Sequence, residues 1–319
     1  MIKNPPIIKK IVREMGGTIE RVIPERGYFY IKFGDEKIFV SRKFKISSSL
    51  ISGGEITKYK DLTYFILKEN GIPTPKSICF YCNHFNESLF ENIHKLKYPL
   101  VIKDAQGSNS KGVFTNIKNL DEAKKIITRE MHKFRALLVQ EMIFGKEFRI
   151  LVLNKKVIGA LELIPPRIFA DGKSTIKELI LKKQKKTEKK TPLDGALAII
   201  LKEQGCNLES VPEKNTEIFI RKNSCLAEGG ETRDVTDLTS EDIKKVCIKA
   251  TRVTEKNLAG IDIMCEDITK KMDNQFFSII EINGKPDLYI HYNPTHGKTR
   301  NVVKEIIEFI LKLRKNTAL

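Results

Sequence analysis

Phe277-Ser278-Ile279-Ile280-Glu281-Ile282-Asn283 is an apolar, β-branched run broken at two places, Glu281 and Asn283. A strand turns successive side chains to opposite faces, so Glu281 and Asn283 share one face while Ile280 and Ile282 point into the core. A second run, Ala259-Gly260-Ile261-Asp262-Ile263-Met264, sets Asp262 opposite Ile261 and Ile263 in the same way. If the two strands pair, an Asp, a Glu and an Asn converge on one patch. Hard oxygen donors of this kind suit Mg2+, which takes one or two carboxylates and leaves its other positions to water and phosphate oxygens. The competing reading is a solvent-facing Glu-x-Asn on an edge strand, which these two segments alone do not exclude.

About 150 residues earlier, the apolar strand Tyr98-Pro99-Leu100-Val101-Ile102-Lys103 runs into the loop Gly107-Ser108-Asn109-Ser110-Lys111-Gly112 and then into Val113-Phe114-Thr115. Glycines let backbone N–H groups approach phosphate closely, and Lys103 and Lys111 add point charges. The spacing is neither the Walker pattern nor the Rossmann fingerprint, and an ordinary polar hairpin would read the same. The combination carries more than either part: a phosphate-type loop, then an Mg2+-type patch, in a chain without a credible nucleophile triad.

The remaining segments frame these two. A hairpin is expected where Tyr28–Phe33 and Lys37–Val40 flank Gly34-Asp35. A helix over 58–70 would bury Leu62, Phe65 and Ile66 and stop at Gly71 and Pro73. Asn119 caps a helix with Glu122 three residues on, and Ala123, Ile126, Ile127, Met131 and Phe134 give it an apolar stripe. The strand Ala136–Gln140 follows. Glu147–Leu153 and Val157–Leu163 form a hairpin about Asn154-Lys155-Lys156. Residues 241–257 and Val302–Leu313 read as amphipathic helices, the second packing Val303, Ile306, Ile307, Ile310 and Leu313 inward.

The 319 residues suffice for two or three lobes, and 41% hydrophobic with 30% charged residues is a soluble profile without a run long enough to span a bilayer. Met1-Ile2-Lys3-Asn4-Pro5-Pro6 has no secretory pattern, so a cytoplasmic location is expected. The six cysteines do not form a disulfide framework, and Cys79-Phe80-Tyr81-Cys82 reads as a pair of structural thiols. The net charge of +17 raises nucleic acid as a partner, but the lysines are scattered, and the densest run, Lys182 to Lys190, reads as a solvated helix end or loop. The charge suits polyanions such as ATP and acidic peptides.

Lys60-Asp61-Leu62-Thr63, Gly71-Ile72-Pro73-Thr74-Pro75, Pro99–Lys103, Gly107–Gly112, Val139-Gln140-Glu141-Met142-Ile143-Phe144-Gly145-Lys146-Glu147-Phe148-Arg149 and Glu281-Ile282-Asn283 occur in this order. Together, over roughly residues 58–312, they resemble the ATP-grasp family. Asp171–Leu179, Arg221-Lys222-Asn223-Ser224, Gly229-Gly230, Asp234-Val235-Thr236-Asp237 and His296–Val302 narrow the resemblance to the ATP-grasp module of the cyanophycin synthetases. The Mur-ligase-like module of those enzymes and most of their N-terminal domain have no counterpart here, so the same branched polymer is not assumed. Lys285 and Asp287, where smaller residues are usual, also depart from the pattern.

The resemblance implies an α+β, ATP-grasp fold, two lobes clasping ATP, with a small N-terminal α/β segment over 1–57. The lobes would cover 58–140, with the glycine loop, and 141–319, with a basic insertion near 171–215. It implies an ATP-dependent ligase joining a carboxylate to an amine through an acyl phosphate. Lys103, with Lys60, would contact the phosphates, and Gly107, Ser108, Lys111 and Gly112 would close over them. Gln140, Glu141, Met142 and Ile143 would read adenine, and Glu147 the ribose. Asp262, Glu281 and Asn283 would hold Mg2+, or Mn2+ in its place. Arg221 and Asn223 would act near the transferred phosphoryl group, making them catalytic residues together with Lys103. The partners implied are small-molecule or acidic-peptide substrates, with a homo-oligomer compatible and neither membrane nor nucleic acid expected. A glutathione-synthetase-like or short-peptide ligase is the nearest alternative. A non-catalytic nucleotide- or nucleic-acid-binding module is the alternative of a different class.

Overall fold

A computed structural model of the protein describes residues 5–23, 28–41, 45–46, 56–82, 87–106, 112–187, 189 and 191–317. Their contacts divide the chain into a first unit, Met1–Ala160 with Thr236–Tyr292 and Arg300–Leu319, and a second, Leu161–Val235 with Asn293–Thr299.

The hairpin expected at Gly34-Asp35 forms, with Gly34 at φ +57° in the turn. It is the middle of an antiparallel meander of β1 (Thr18–Ile23), β2 (Tyr28–Phe33), β3 (Glu36–Ser41) and β4 (Lys45–Ile46). The helix Pro5–Glu14 places Ile8, Ile11 and Val12 with Ile31 and Ile38 in a core that also takes Leu151, Leu258, Val303, Ile306 and Ile310. The described segments before residue 57 therefore share a core with the last helix, Val302–Thr317, in which Val303, Ile306, Ile307 and Ile310 of the expected stripe are buried and Leu313 is half-buried.

A second antiparallel sheet has the order β5-β8-β6-β7, from β5 (Ser77–Tyr81), β6 (Leu100–Asp104), β7 (Val113–Ile117) and β8 (Ala136–Glu141). Helix Leu120–Glu130 covers it with Ala123 and Ile127 buried and Ile126, Met131 and Phe134 packed beside them. Its cap is the one expected: Asn119 Oδ1 accepts from the Glu122 N–H at 2.9 Å, and the Glu122 carboxylate accepts from the Lys118 N–H at 2.8 Å. Asn119→Ala is expected to cost about 1 kcal/mol of stability, read as a lower midpoint in urea unfolding with an unchanged slope.

Helix Lys60–Glu69 departs from expectation. Leu62 and Phe65 are exposed, Ile66 is half-buried, and the buried residues are Thr63 and Leu67. Burial of Thr63 leaves nothing unsatisfied, because its hydroxyl reaches the carbonyls of Tyr59 and Ile56 at 2.9 Å. The helix start is tied to the end of β6 by the Lys60 N–H on the Ala105 carbonyl at 2.8 Å. Its inward face is thus the polar one carrying Lys60 and Thr63, which line a pocket of the first unit.

β9 (Lys146–Leu153) and β10 (Lys156–Ile164) make the hairpin about Asn154, and the residues Leu161–Ile164 of β10 belong to the second unit. In that unit β11 (Arg167–Phe169) pairs with β12 (Glu217–Phe219), and β13 (Glu231–Asp234) pairs with Leu161–Ile164. Helices Ile176–Thr187 and Gly195–Glu203 close a core of Ile168, Ile176, Ile180, Leu197, Leu201, Ile218 and Ile220. The Asp171–Leu179 motif is a helix start: Thr175 Oγ1 accepts from the Glu178 N–H, and Glu178 from the Thr175 N–H. Asp171 accepts from the Ser174 and Lys173 N–H groups, which hold its carboxyl down at about 2. His296 completes the unit by pairing its backbone with Thr232 and Asp234 at 2.9 Å. The basic run is not wholly solvated, since Lys183 binds Glu231 and the Arg167 carbonyl, and Lys189 the Gly230 carbonyl.

Back in the first unit, β14 (Leu258–Cys265) lies between β9 and β15 (Phe277–Asn283), all antiparallel. Asp262 faces Glu281 but Ile263 faces Ile279, so Ile280 is the extra residue of a bulge. Ile279 and Ile282 are therefore buried, and Ile280, expected in the core, is only half-buried. All six cysteines are free thiols. Among the described residues, no helix is long and apolar enough to cross a membrane.

Candidate active site

The register of the three strands puts Arg149, Asp262 and Glu281 in one cross-strand row, with Asn283 in the next row opposite Gly260. Two carboxylates face each other on neighbouring strands, an arrangement that repels unless something neutralises it. Here cations do so from both sides. The Arg149 guanidinium forks onto Asp262, Nε to Oδ1 and Nη2 to Oδ2 at 3.0 Å, while Lys60 Nζ lies 3.6 Å from Glu281 Oε1. Asn283 Nδ2 donates to Asp262 Oδ2 at 3.0 Å, which leaves the Asn283 carbonyl oxygen as its acceptor. Gly260 makes the fork possible: a Cβ there would stand 2.8 Å from Pro286 Cβ and 3.3 Å from Arg149 Cδ.

Burial pushes the Asp262 carboxyl above the usual range, against the pull of Arg149. Lys103, on β6 opposite Leu138, is buried as well, and desolvation brings its ammonium down to about 8, with Glu281 and Asp262 supporting its charge and Lys60 opposing it. Lys60, Lys103, Gln140, Ile280 and Glu281 line one pocket. Two cations and one carboxylate, Lys60, Lys103 and Glu281, thus line the pocket, and Glu281 joins it to the Arg149–Asp262 pair in the neighbouring strands.

The other expected residues are placed as follows. Gln140 is buried on β8 with its amide on the Ser77 hydroxyl, and the Glu141 carboxylate accepts from the Lys97 N–H at 2.9 Å. Met142 N–H donates to the Pro99 carbonyl at 2.9 Å, and Met142 and Ile143 are half-buried. Glu147 is half-buried on β9, two residues before Arg149 and on its face. Gly107, Ser108 and Lys111 lie outside the described residues. Gly112 closes that loop at φ +69°.

In the second unit Arg221 is buried and engaged. Nε binds Glu228 at 2.8 Å, Nη1 the Ile220 carbonyl, and Nη2 both the Pro192 carbonyl and Asp194. Four of its five N–H groups are spent there. Asn223 is exposed. Arg149 stands at the end of the Val139–Arg149 motif without a role expected from the sequence, and the structure places it on Asp262. The period of two already placed it on the face of Glu147, which pointed to the same patch.

Among the described residues no three His, Cys, Asp or Glu side chains cluster to hold a metal. Two carboxylates and an amide oxygen nevertheless fit Mg2+, which needs few protein ligands. The like-charged facing pair is the structural sign of that fit.

These sheets and the lysine and carboxylate set between them define the class: an ATP-grasp fold. Residues 57–167 match the RimK-like ATP-grasp domain. The cyanophycin synthetase of a Synechocystis species is 29% identical over 83% of this chain, and the glutathione biosynthesis bifunctional protein GshAB of Clostridium perfringens 28% over 92%. The chain spans only 31% and 39% of those relatives. Among solved structures, a bifunctional glutathione synthetase from Pasteurella multocida superposes at a TM-score of 0.66, with 22% identity, over 94% of this chain and 43% of that one. A D-alanine–D-alanine ligase from Bacillus anthracis gives 0.51 at 16% identity, covering 82% of this chain and 70% of the other.

Proposed function

We propose that the chain is an ATP-dependent carboxylate–amine ligase that makes an amide or peptide bond through an acyl phosphate. The observation that carries this reading is the cross-strand row Arg149, Asp262, Glu281, with Lys60 and Lys103 lining a pocket together with Glu281: carboxylates for a cation, lysines for phosphate. Asp262, Glu281 and the Asn283 carbonyl would hold Mg2+, or Mn2+ in its place. When bound, that cation supplies charge neutralisation on the phosphate oxygens.

The chain's own residues position and desolvate. Lys103 and Lys60 fix the phosphates, residues 140–143 take the adenine, Glu147 takes the ribose, and Gly107–Gly112 excludes water. The substrate carboxylate attacks the γ-phosphorus and ADP leaves. The amine then attacks the acyl carbon, phosphate leaves, and the amine gives up a proton. Arg221, with its one remaining N–H, and Asn223 are the second unit's candidates for the transferred phosphoryl group. The lobes assigned to 58–140 and 141–319 are part of the same proposal.

Substrates of cyanophycin-synthetase type, an acidic peptide and an amino acid, are favoured by the motifs of the second unit. A glutathione-synthetase-like pair is supported by the similarity to GshAB. The test is ADP release with Mg·ATP against a matrix of amino acids and short acidic peptides, with mass spectrometry of any active pair. Release that needs two substrates and yields a condensed product is the expected result. Absence of ATP binding would overturn the reading.

A further inference from the structure

Both carboxylates proposed as metal ligands have cationic partners within the chain itself. Asp262 is held by the Arg149 fork and Glu281 faces Lys60 Nζ at 3.6 Å. The Asp262 oxygens are crowded: Oδ2 accepts from both Arg149 Nη2 and Asn283 Nδ2, which uses its two lone pairs, and Oδ1 accepts from Arg149 Nε. A divalent cation approaching Asp262 and Glu281 without a nucleotide meets carboxylates whose charge is already matched. A nucleotide changes that, because its phosphates offer Lys60 and Arg149 a different set of anionic oxygens, and each of the two that moves to phosphate releases its carboxylate.

We propose that Arg149 is the resident counter-cation of the metal site: it occupies Asp262 until nucleotide phosphates draw it away, so that the divalent cation binds with the nucleotide and not before it. Arg149 is then a positioning residue that couples two binding events, and the coupling is reciprocal. Arginine suits the task better than lysine. Its planar fork satisfies both carboxylate oxygens at once and transfers to phosphate with the same geometry. Gly260 belongs to the device, since a Cβ there would crowd the Arg149 stem.

This inference rests on the reading of Asp262, Glu281 and Asn283 as metal ligands, and the experiment separates the two. Mn2+ binding is followed by electron paramagnetic resonance of the free ion, with and without ADP, in wild type, Arg149→Met, Arg149→Lys and Asp262→Asn, each checked for folding by circular dichroism. Wild type should bind Mn2+ poorly alone and on the order of tenfold or more tightly with ADP. Asp262→Asn should lose the ADP-dependent binding. Arg149→Met should bind Mn2+ without ADP on the order of tenfold more tightly than wild type, with little further gain from ADP. Arg149→Lys, which keeps the charge but loses the fork, should fall between them and serves in its place should Arg149→Met fail to fold. Mn2+ affinity without ADP that is unchanged or weaker in both Arg149 variants would overturn the inference while leaving the ligands in place. ADP-dependent Mn2+ binding that survives in Asp262→Asn would overturn the ligand assignment and the inference with it.

Discussion

Asp262→Asn should lose ATP-dependent turnover by on the order of a thousandfold, the scale of several kcal/mol of charge stabilisation at a phosphoryl group. The same change should lower the stability of the fold by about 3–5 kcal/mol. Both effects come from one geometry. Asp262 is the only one of the three expected ligands that is buried, and it is the anion that balances the half-buried Arg149. An asparagine keeps the size but turns an N–H₂ or a weak acceptor toward the guanidinium, leaving a charge out of water without its counter-ion. The two consequences separate in the double variant Arg149→Met with Asp262→Asn. Removing both charges recovers most of the stability, because a buried pair contributes little over a neutral replacement, while activity stays lost. Thermal unfolding and ADP release on wild type and the two variants check this. A single variant with wild-type turnover would remove Asp262 from the site, and a double variant no more stable than the single would mean that the pair is not the source of the stability loss.

Sequence periodicity carried the sheet and its chemistry further than the helix at the pocket. Alternation alone put Glu281 with Asn283 and Asp262 opposite its apolar neighbours, and antiparallel pairing then fixes the row, because a one-residue slip would have turned every side chain over. The bulge at Ile280 was not readable, since nothing in four successive β-branched and acidic residues marks which one is extra. Helix Lys60–Glu69 misled for a different reason. Leu62 and Phe65 sit on the exposed side, and the inward side carries Leu67 together with Thr63, which satisfies itself on the preceding turn, and Lys60, which finds Glu281. Propensity scales weigh apolar bulk, whereas here a polar pocket selected the face.

The same contrast explains Arg149 and Arg221. Each stands in a motif, and a sequence gives no measure of whether a guanidinium is bare or already matched. Arg149 is matched by a residue 113 positions away, and Arg221 by partners seven and 27 positions away. Such pairings belong to tertiary structure. They decide whether an arginine is a free electrostatic tool or a latch whose release needs another anion.

Nucleotide affinity should be flat below about pH 8 and should fall as pH rises above it, by up to tenfold per unit, on account of Lys103. Burial brings this ammonium down to about 8, so the free protein holds it charged below that pH and increasingly neutral above it. Phosphate oxygens favour the charged form, so the bound protein titrates higher than the free one. Below about 8 the lysine is charged in both states and binding moves no proton. Between the two values the free protein must take up a proton to bind, and affinity is lost as pH rises. For folding the sign is the opposite: a lysine depressed from its ordinary value of 10.5 contributes stability that is present above that value and lost as pH falls through about 8. Bound nucleotide should therefore stabilise the protein most where the buried charge costs most, at neutral pH and below. Calorimetric titration with ADP from pH 7 to 9.5, repeated in buffers of different ionisation enthalpy, measures affinity and proton uptake together. Lys103→Arg supplies the control, because a guanidinium stays protonated throughout and should bind with a flat profile across that range. Wild-type affinity that is level from pH 8 to 9.5, with no buffer-dependent heat, would show that no phosphate approaches Lys103, and the nucleotide would have to be placed elsewhere in the first unit.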